Sequence, residues 1–227
     1  MNKSLTDRRS MIRRMAAVAV FCAVAYACQY VFRIHVFFLT FDAMDAVMAI
    51  GAMLFGPLWG LVITLVVASI EALSISSGTG WIGWIMNVLS SATFVCVSAV
   101  IYRYKRTMLG AILGLFTGVL STVSVMLVLN LLLTPLYTGK SVKEIAAMIP
   151  TLLLPFNLTK SLLNAGLVLV LYKPISTAMK NARVIKGEPT SLRFDRKSVL
   201  MLIIGVMVIA ACVTAFLLFM NGQFEWG

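Results

Sequence analysis

Long apolar runs without a single Asp, Glu, Lys or Arg constrain this chain more than anything else in it. The runs Met15 to Phe32, Ala46 to Ile70, Ala72 to Tyr102, Thr107 to Gly139 and Ser198 to Gln223 carry no such residue. About 20 apolar residues in helical form cross the hydrocarbon core of a bilayer. Lipid offers no hydrogen bonds, so a spanning segment must satisfy its backbone internally, as an α-helix does. Composition agrees: 61% of the 227 residues are hydrophobic, 12% are charged and the mean hydropathy is +0.99, against about 45–50% and 25% in soluble domains. A water-soluble globule is excluded. The fold class expected is all-α, a polytopic transmembrane helical bundle.

The formal charge of +11 would suggest nucleic acid if the basic residues lined one surface. Instead, fifteen of the nineteen fall into three clusters between apolar runs: Lys3 to Arg14, Arg103 to Arg106, and Lys173 to Lys197. The positive-inside rule places all three, and with them the N-terminus, in the cytoplasm of a multi-pass cell-membrane protein. Nucleic acid is not an expected partner; the lipid bilayer is. The cysteines Cys22, Cys28, Cys96 and Cys212 lie in apolar runs without a CxxC pair, which argues against a metal or disulfide framework. The small residues around Ala25 to Cys28 include the bulky Tyr26 in a long apolar run, which favours a retained first helix over a cleaved one.

Orientation fixes the span count. Helix one runs between Arg14 and Arg33, and an outer loop covers His35 to Asp45. Gly56-Pro57 interrupts the next run, where Pro removes a backbone donor and Gly permits a turn. A single kinked helix there would put Arg103 to Arg106 outside, so a short helix two, an inner turn and helix three are expected. Helix four spans about Trp81 to Tyr102. Helix five runs from Met108 and closes at Pro135, followed by an outer loop to Met148. Helix six covers Ile149 to Tyr172, and a seventh covers Val199 to Met220. The division expected is a six-helix unit over 1–180, a basic linker over 181–197 and an extra C-terminal helix with its tail over 198–227.

Few polar groups fall inside these spans. Lys160, with Asn157 three residues before and Asn164 four after, forms a stripe on one face of helix six. A Lys at mid-bilayer costs about 2.5–3.5 kcal/mol on insertion scales and usually faces a cavity or a partner; the alternative is a late helix start after Pro150 and Pro155 that lets it snorkel outward. Asn130 sits among leucines, to bind a ligand or to join helices. Trp81, Trp84 and Asn87 open helix four, as an interfacial aromatic belt or as a stacking platform beside an amide. Ala19, Ala23 and Ala27 give helix one a flat face that suits close helix approach. The chain has one His, His35, and no GxxxxGK[ST], HExxH or GxSxG motif, so neither catalysis nor nucleotide binding is indicated.

Five stretches, in order, resemble the substrate-binding S component of energy-coupling factor (ECF) vitamin transporters, most closely its riboflavin-specific type. They are Leu39 to Asp45; Phe55-Gly56-Pro57-Leu58-Trp59-Gly60; Gly78-Thr79-Gly80 with Gly83 and Asn87; Leu129-Asn130 before Thr134-Pro135-Leu136-Tyr137; and Phe156-Asn157-Leu158-Thr159-Lys160. The resemblance covers about Arg14 to Pro174 and implies a six-helix core. It implies that Asn130, Asn157 and Lys160 contact the flavin, with Asn87, Trp84, Thr79 and Asp42 completing the site. It implies that Ala19, Ala23 and Ala27 dock on a transmembrane coupling subunit, which works with two ATPase subunits. Two departures stand out. Gly83-Trp84-Ile85 replaces the family's Gly-Glu-Leu, an indole for a carboxylate, and the seventh helix lies beyond the usual six.

The function these residues imply is capture of riboflavin or another planar vitamin or flavin analogue for import. The ligand is a transported substrate and no cofactor is expected. A membrane-embedded lipid-modifying enzyme is the alternative from another class, with Asp42, Asp45 and Glu71 as its candidate carboxylates; a ligand-free helical scaffold is a third.

Overall fold

The computed structural model describes residues 3–36, 39–74, 80–185, 188, 191, 195–220 and 225–226. Its elements are α1 (Lys3–Val31), β1 (Ile34–Val36), β2 (Leu39–Phe41), α2 (Met44–Phe55), α3 (Pro57–Ser74), α4 (Gly80–Tyr104), α5 (Met108–Thr138), α6 (Val142–Met148), a π-helical turn (Ile149–Leu153), α7 (Leu154–Asn181), α8 (Arg196–Met220) and β3 (Glu225–Trp226). Among the described residues, six helices are long and apolar enough to cross a membrane, and α2 is a shorter apolar one. This is the helical membrane bundle expected, with α7 as the sixth expected helix and α8 as the seventh.

At 12 residues, α2 is about 18 Å long, well short of the roughly 30 Å hydrocarbon core. It is tolerated because protein surrounds it: all residues from Met44 to Met53 are buried. Helices α1, α3, α4 and α7 pack around it. The main core joins Phe21, Met44, Met48, Ile50, Ile63, Val67, Phe94 and Val95. The Gly56-Pro57 turn is present as expected. Gly56 takes φ +106°, open to glycine, its N–H bonds Ala52 O at 2.7 Å, and Pro57 starts α3, where its missing N–H costs nothing.

Several boundaries differ from expectation, each for a local reason. The helix of α1 begins at Lys3 rather than near Arg14, because Arg and Lys are good helix formers and a helix can continue past the membrane surface. The outer loop expected over His35 to Asp45 contains the hairpin β1–β2, paired Ile34 to Phe41 and Val36 to Leu39, and β3 adds antiparallel to β1. Within β2, buried Leu39 and Phe41 flank half-buried Thr40, the period-two alternation of a strand. Helix α5 passes Pro135 and ends at Thr138, where Gly139 at φ +70° donates to Pro135 O. The loop expected over Leu136 to Met148 holds α6, started by a capping box in which Ser141 and Glu144 satisfy each other's backbone N–H. Pro150 and Pro155 are absorbed by the π turn and the first turn of α7.

The C-terminal helix packs on α7 through glycine. A Cβ on Gly205 would lie 2.8 Å from Gly166 O, 2.8 Å from Val170 Cγ2 and 3.1 Å from Leu169 Cβ, so the two backbones meet at a distance only glycine permits. At the start of α8, Asp195 accepts hydrogen bonds from the Ser198 hydroxyl and, at 3.3 Å, from the Ser198 N–H; those bonds hold its carboxyl below the usual carboxylate range. At the other end, Phe216 stacks on Phe41 of the hairpin with ring centroids 5.1 Å apart. Substituting Gly205→Leu should therefore lift α8 off α7. An engineered cysteine pair across that contact should lose its cross-link in Gly205→Leu, while a pair across α4 and α5 keeps it; an intact α7–α8 cross-link would show that the glycine contact is dispensable.

Candidate functional site

The site begins with a capping problem. Helix α2 starts buried, its first N–H groups need acceptors, and the N-cap residue Ala43 has none to offer. Neighbours supply them. Asp42 Oδ1 accepts from Met44 N at 3.3 Å, and Asn164 Oδ1, reaching over from α7, accepts from Ala46 N at 2.8 Å. The Asn164 amide then donates to Asp42 O and, one turn back on its own helix, to Lys160 O, both at 3.1 Å. One amide thus ties α7, the start of α2 and the residue that follows the hairpin.

Lys160 lies one turn from Asn164 and makes the second tie. Its Nζ is 2.8 Å from Asp42 Oδ2 and donates to Thr40 O at 3.1 Å. The two side chains are 15% and 2% exposed, so Lys160 does not snorkel. Two further carboxylates, Asp45 at the start of α2 and Glu71 on α3, are buried as well. Each of the other two carboxylates has a polar partner on α4: Asp45 accepts from Ser91 at 2.6 Å, and Glu71 from the Asn87 amide. Asn87 and Ser91 are four residues apart and share one helix face. The result is a buried polar cluster between the hairpin and helices α2, α3, α4 and α7.

Asn130 and Asn157 lie on the buried faces of α5 and α7, two helices that pack together. Each donates to the carbonyl one turn back, Asn130 to Met126 O and Asn157 to Leu153 O, both at 2.7 Å, and Asn130 Oδ1 accepts from Thr134 at 2.9 Å. These are local bonds. Lys160 has a third ammonium hydrogen beyond its two bonds, and each amide has a second N–H. The floor beneath the hairpin is apolar, with Leu39, Phe41, Ile145, Leu152, Leu153 and Phe156 in one cluster.

The other residues singled out in the sequence fall elsewhere. Trp84 is 37% exposed and its indole N–H points to Ser69 on α3 at 3.3 Å, and Trp81 is 67% exposed. Thr79 lies outside the described residues. Ala19, Ala23 and Ala27 are all exposed, on the side of α1 opposite buried Val18, Phe21, Cys22 and Ala25. Thr40 and Thr134 stand in the resembling stretches without a role of their own, and Ser91 stands in none. Ser91 had a signal, four residues after Asn87; Thr40 acts through its backbone and had none. Among the described residues no three His, Cys, Asp or Glu side chains converge as a metal-holding group.

Comparison with known proteins follows this geometry. Residues 13–176 match the family model described as ECF transporter, substrate-specific component. The riboflavin transporter RibU of Staphylococcus aureus (strain TCH60) is 25% identical over 177 residues, covering 74% of this chain and 93% of that protein. A solved S component of a bacterial ECF transporter superposes with a TM-score of 0.64 at 24% identity, over 75% of this chain and 99% of that one. That likeness extends the agreement to the fold.

The capping role of Asn164 is testable without a ligand. Asn164→Leu strands the Ala46 N–H and the Asp42 carbonyl, and an unsatisfied buried polar group costs about 1–3 kcal/mol. Thermal unfolding in detergent should show a midpoint lower by several degrees; an unchanged midpoint would mean that α2 needs no cap from α7.

Proposed function

This chain belongs to the family of ECF transporter substrate-specific components, membrane proteins that bind a substrate and work with an ECF module, and we propose that its substrate is riboflavin or a close planar relative. The observation that carries the reading is the set of Lys160, its side chain 15% exposed, with buried Asn157 and Asn130, on adjoining helices beside an apolar cluster. The relative that shares 25% of its residues is a riboflavin transporter, which favours a flavin among planar vitamins. In this reading the ring lies against the apolar cluster and the free N–H groups of Lys160 and the two amides read its carbonyl edge. Asp42, already on Lys160, holds the ammonium in place. Trp84 stands on the lipid side and Asn87 acts through Glu71. The N-terminus and the three basic clusters face the cytoplasm, ligand enters from outside, and energy comes from the two ATPase subunits through the coupling subunit, against which Ala19, Ala23 and Ala27 pack.

Titration of purified protein with riboflavin, followed by quenching of flavin fluorescence, tests the reading. Asn157→Ala and Lys160→Ala should each weaken binding about tenfold or more, since one lost buried partner costs about 1–3 kcal/mol and about 1.4 kcal/mol is a decade. Ala23→Leu should bind like the parent yet fail to copurify with the coupling subunit. Folded Asn157→Ala and Lys160→Ala proteins that bind riboflavin as the parent does would contradict the site, and a parent that quenches no flavin would contradict the substrate.

A further inference from the structure

A cavity lies at the opposite end of the bundle from the hairpin, where the α4–α5 turn, α7 and α8 meet. It is open on one side and has a volume of about 140 Å³. Three chain segments line it, and each changes character in the same direction over a single turn. Thr107 in the turn before α5, Lys173 on α7 and Ser198 on α8 are polar; four residues deeper into the bundle on each helix come Ala111, Leu169 and Leu202. One helical turn is about 5.4 Å, so a polar rim gives way to an apolar interior over roughly the depth at which a phospholipid passes from its glycerophosphate to its acyl chains. Arg106 completes the rim. One wall is the pair Tyr102 and Tyr172, whose hydroxyls are 2.8 Å apart.

The charge at this end is lopsided. Arg103, Lys105, Arg196 and Lys197 lie within three residues of the rim in sequence. The opposing carboxylate is Asp195, 3.9 Å from Lys173 across an exposed pair, an arrangement that water and salt make weak. Arg106 and Lys173 therefore have donors for an anion. Because α8 supplies one wall, the cavity uses residues beyond the segment 13–176 that matches the family.

We infer that this cavity is a binding site for an anionic phospholipid of the leaflet at the basic end of the bundle. The phosphate sits between Arg106 and Lys173, the glycerol reaches the Thr107 and Ser198 hydroxyls, and the first acyl methylenes enter between Ala111, Leu169 and Leu202. Basic pockets between membrane helices recognise lipid headgroups through this chemistry, and a guanidinium with an ammonium gives the phosphate charge-assisted bonds. The volume takes the phosphate and the few groups next to it; the rest of the headgroup and of each chain lies in the bilayer beside α8.

Native mass spectrometry of the full-length, delipidated protein titrated with dioleoyl phosphatidylglycerol tests this. The wild type should retain one such lipid at least fivefold more tightly than dioleoyl phosphatidylcholine. Arg106→Gln with Lys173→Gln should weaken retention about tenfold, whereas Lys180→Gln, in the same basic cluster but outside the cavity, should change it less than twofold. Leu202→Trp keeps both charges, fills the apolar part and should weaken retention comparably. Equal retention by the double variant, equal loss in Lys180→Gln, or no preference for the anionic lipid would overturn the assignment. Displacement by millimolar glycerol 1-phosphate would overturn it too, by making the cavity a site for free small anions. If the double variant fails to fold, Leu202→Trp and the comparison of the two lipids decide.

Discussion

The ion pair between Lys160 and Asp42 is the interaction on which the hairpin end of the bundle depends. A lysine in the membrane is costly on its own, and a buried carboxylate likewise; each makes the other tolerable. Removing one partner of such a pair commonly costs about 3–5 kcal/mol, because the other charge is left buried and unpaired. The geometry that satisfies Lys160 also fixes topology. Asp42 follows β2 directly and precedes α2, so the 2.8 Å contact pins the hairpin and the start of α2 against α7 together. Asn164 then completes the cap. A polar requirement of one side chain becomes a positional constraint on three elements.

That constraint has a second anchor on the other side of the hairpin. Phe41 meets Phe156 of α7, in an edge-on contact at 6.1 Å, and Phe216 of α8 at 5.1 Å. The C-terminal helix thus touches the site region although it lies beyond the family-matched segment. It holds α7 through glycine at mid-length and the hairpin through an aromatic ring near its end. In lipid, where apolar surface gains nothing by leaving the solvent, such close van der Waals contact and hydrogen bonding are what hold helices together. The small residues and the few amides therefore carry more of the architecture than the many leucines do.

Much of this was legible in the sequence. Charge-free runs gave the long helices, Gly56-Pro57 gave the turn, and Lys160 with Asn157 and Asn164 announced a polar face on the sixth expected helix. The rest depended on chemistry that periodicity does not encode. Capping of α2 by Asn164 joins residues more than a hundred positions apart, and Thr40 contributes a carbonyl, which every residue has. The hairpin was hidden because a three-residue strand is too short to show alternation. Helix α6 was present as Ser141-x-x-Glu144, a capping pattern masked by the surrounding polar run. Trp84 left two readings open, an aromatic belt or a stacking platform, because residue spacing does not say which side of a helix is covered; in the fold its indole N–H points to Ser69 on α3.

The most direct test of this account is a double-mutant cycle on Asp42→Leu and Lys160→Met, read as the thermal unfolding midpoint of the ligand-free protein in detergent. Residues that interact directly give coupling energies of about 0.5–3 kcal/mol. The account predicts that each single substitution lowers the midpoint sharply and that the double variant recovers most of the loss, since two apolar groups replace two charges that need each other. Additive losses, with the double variant the least stable of all, would mean that Asp42 and Lys160 do not hold the hairpin end of the bundle together.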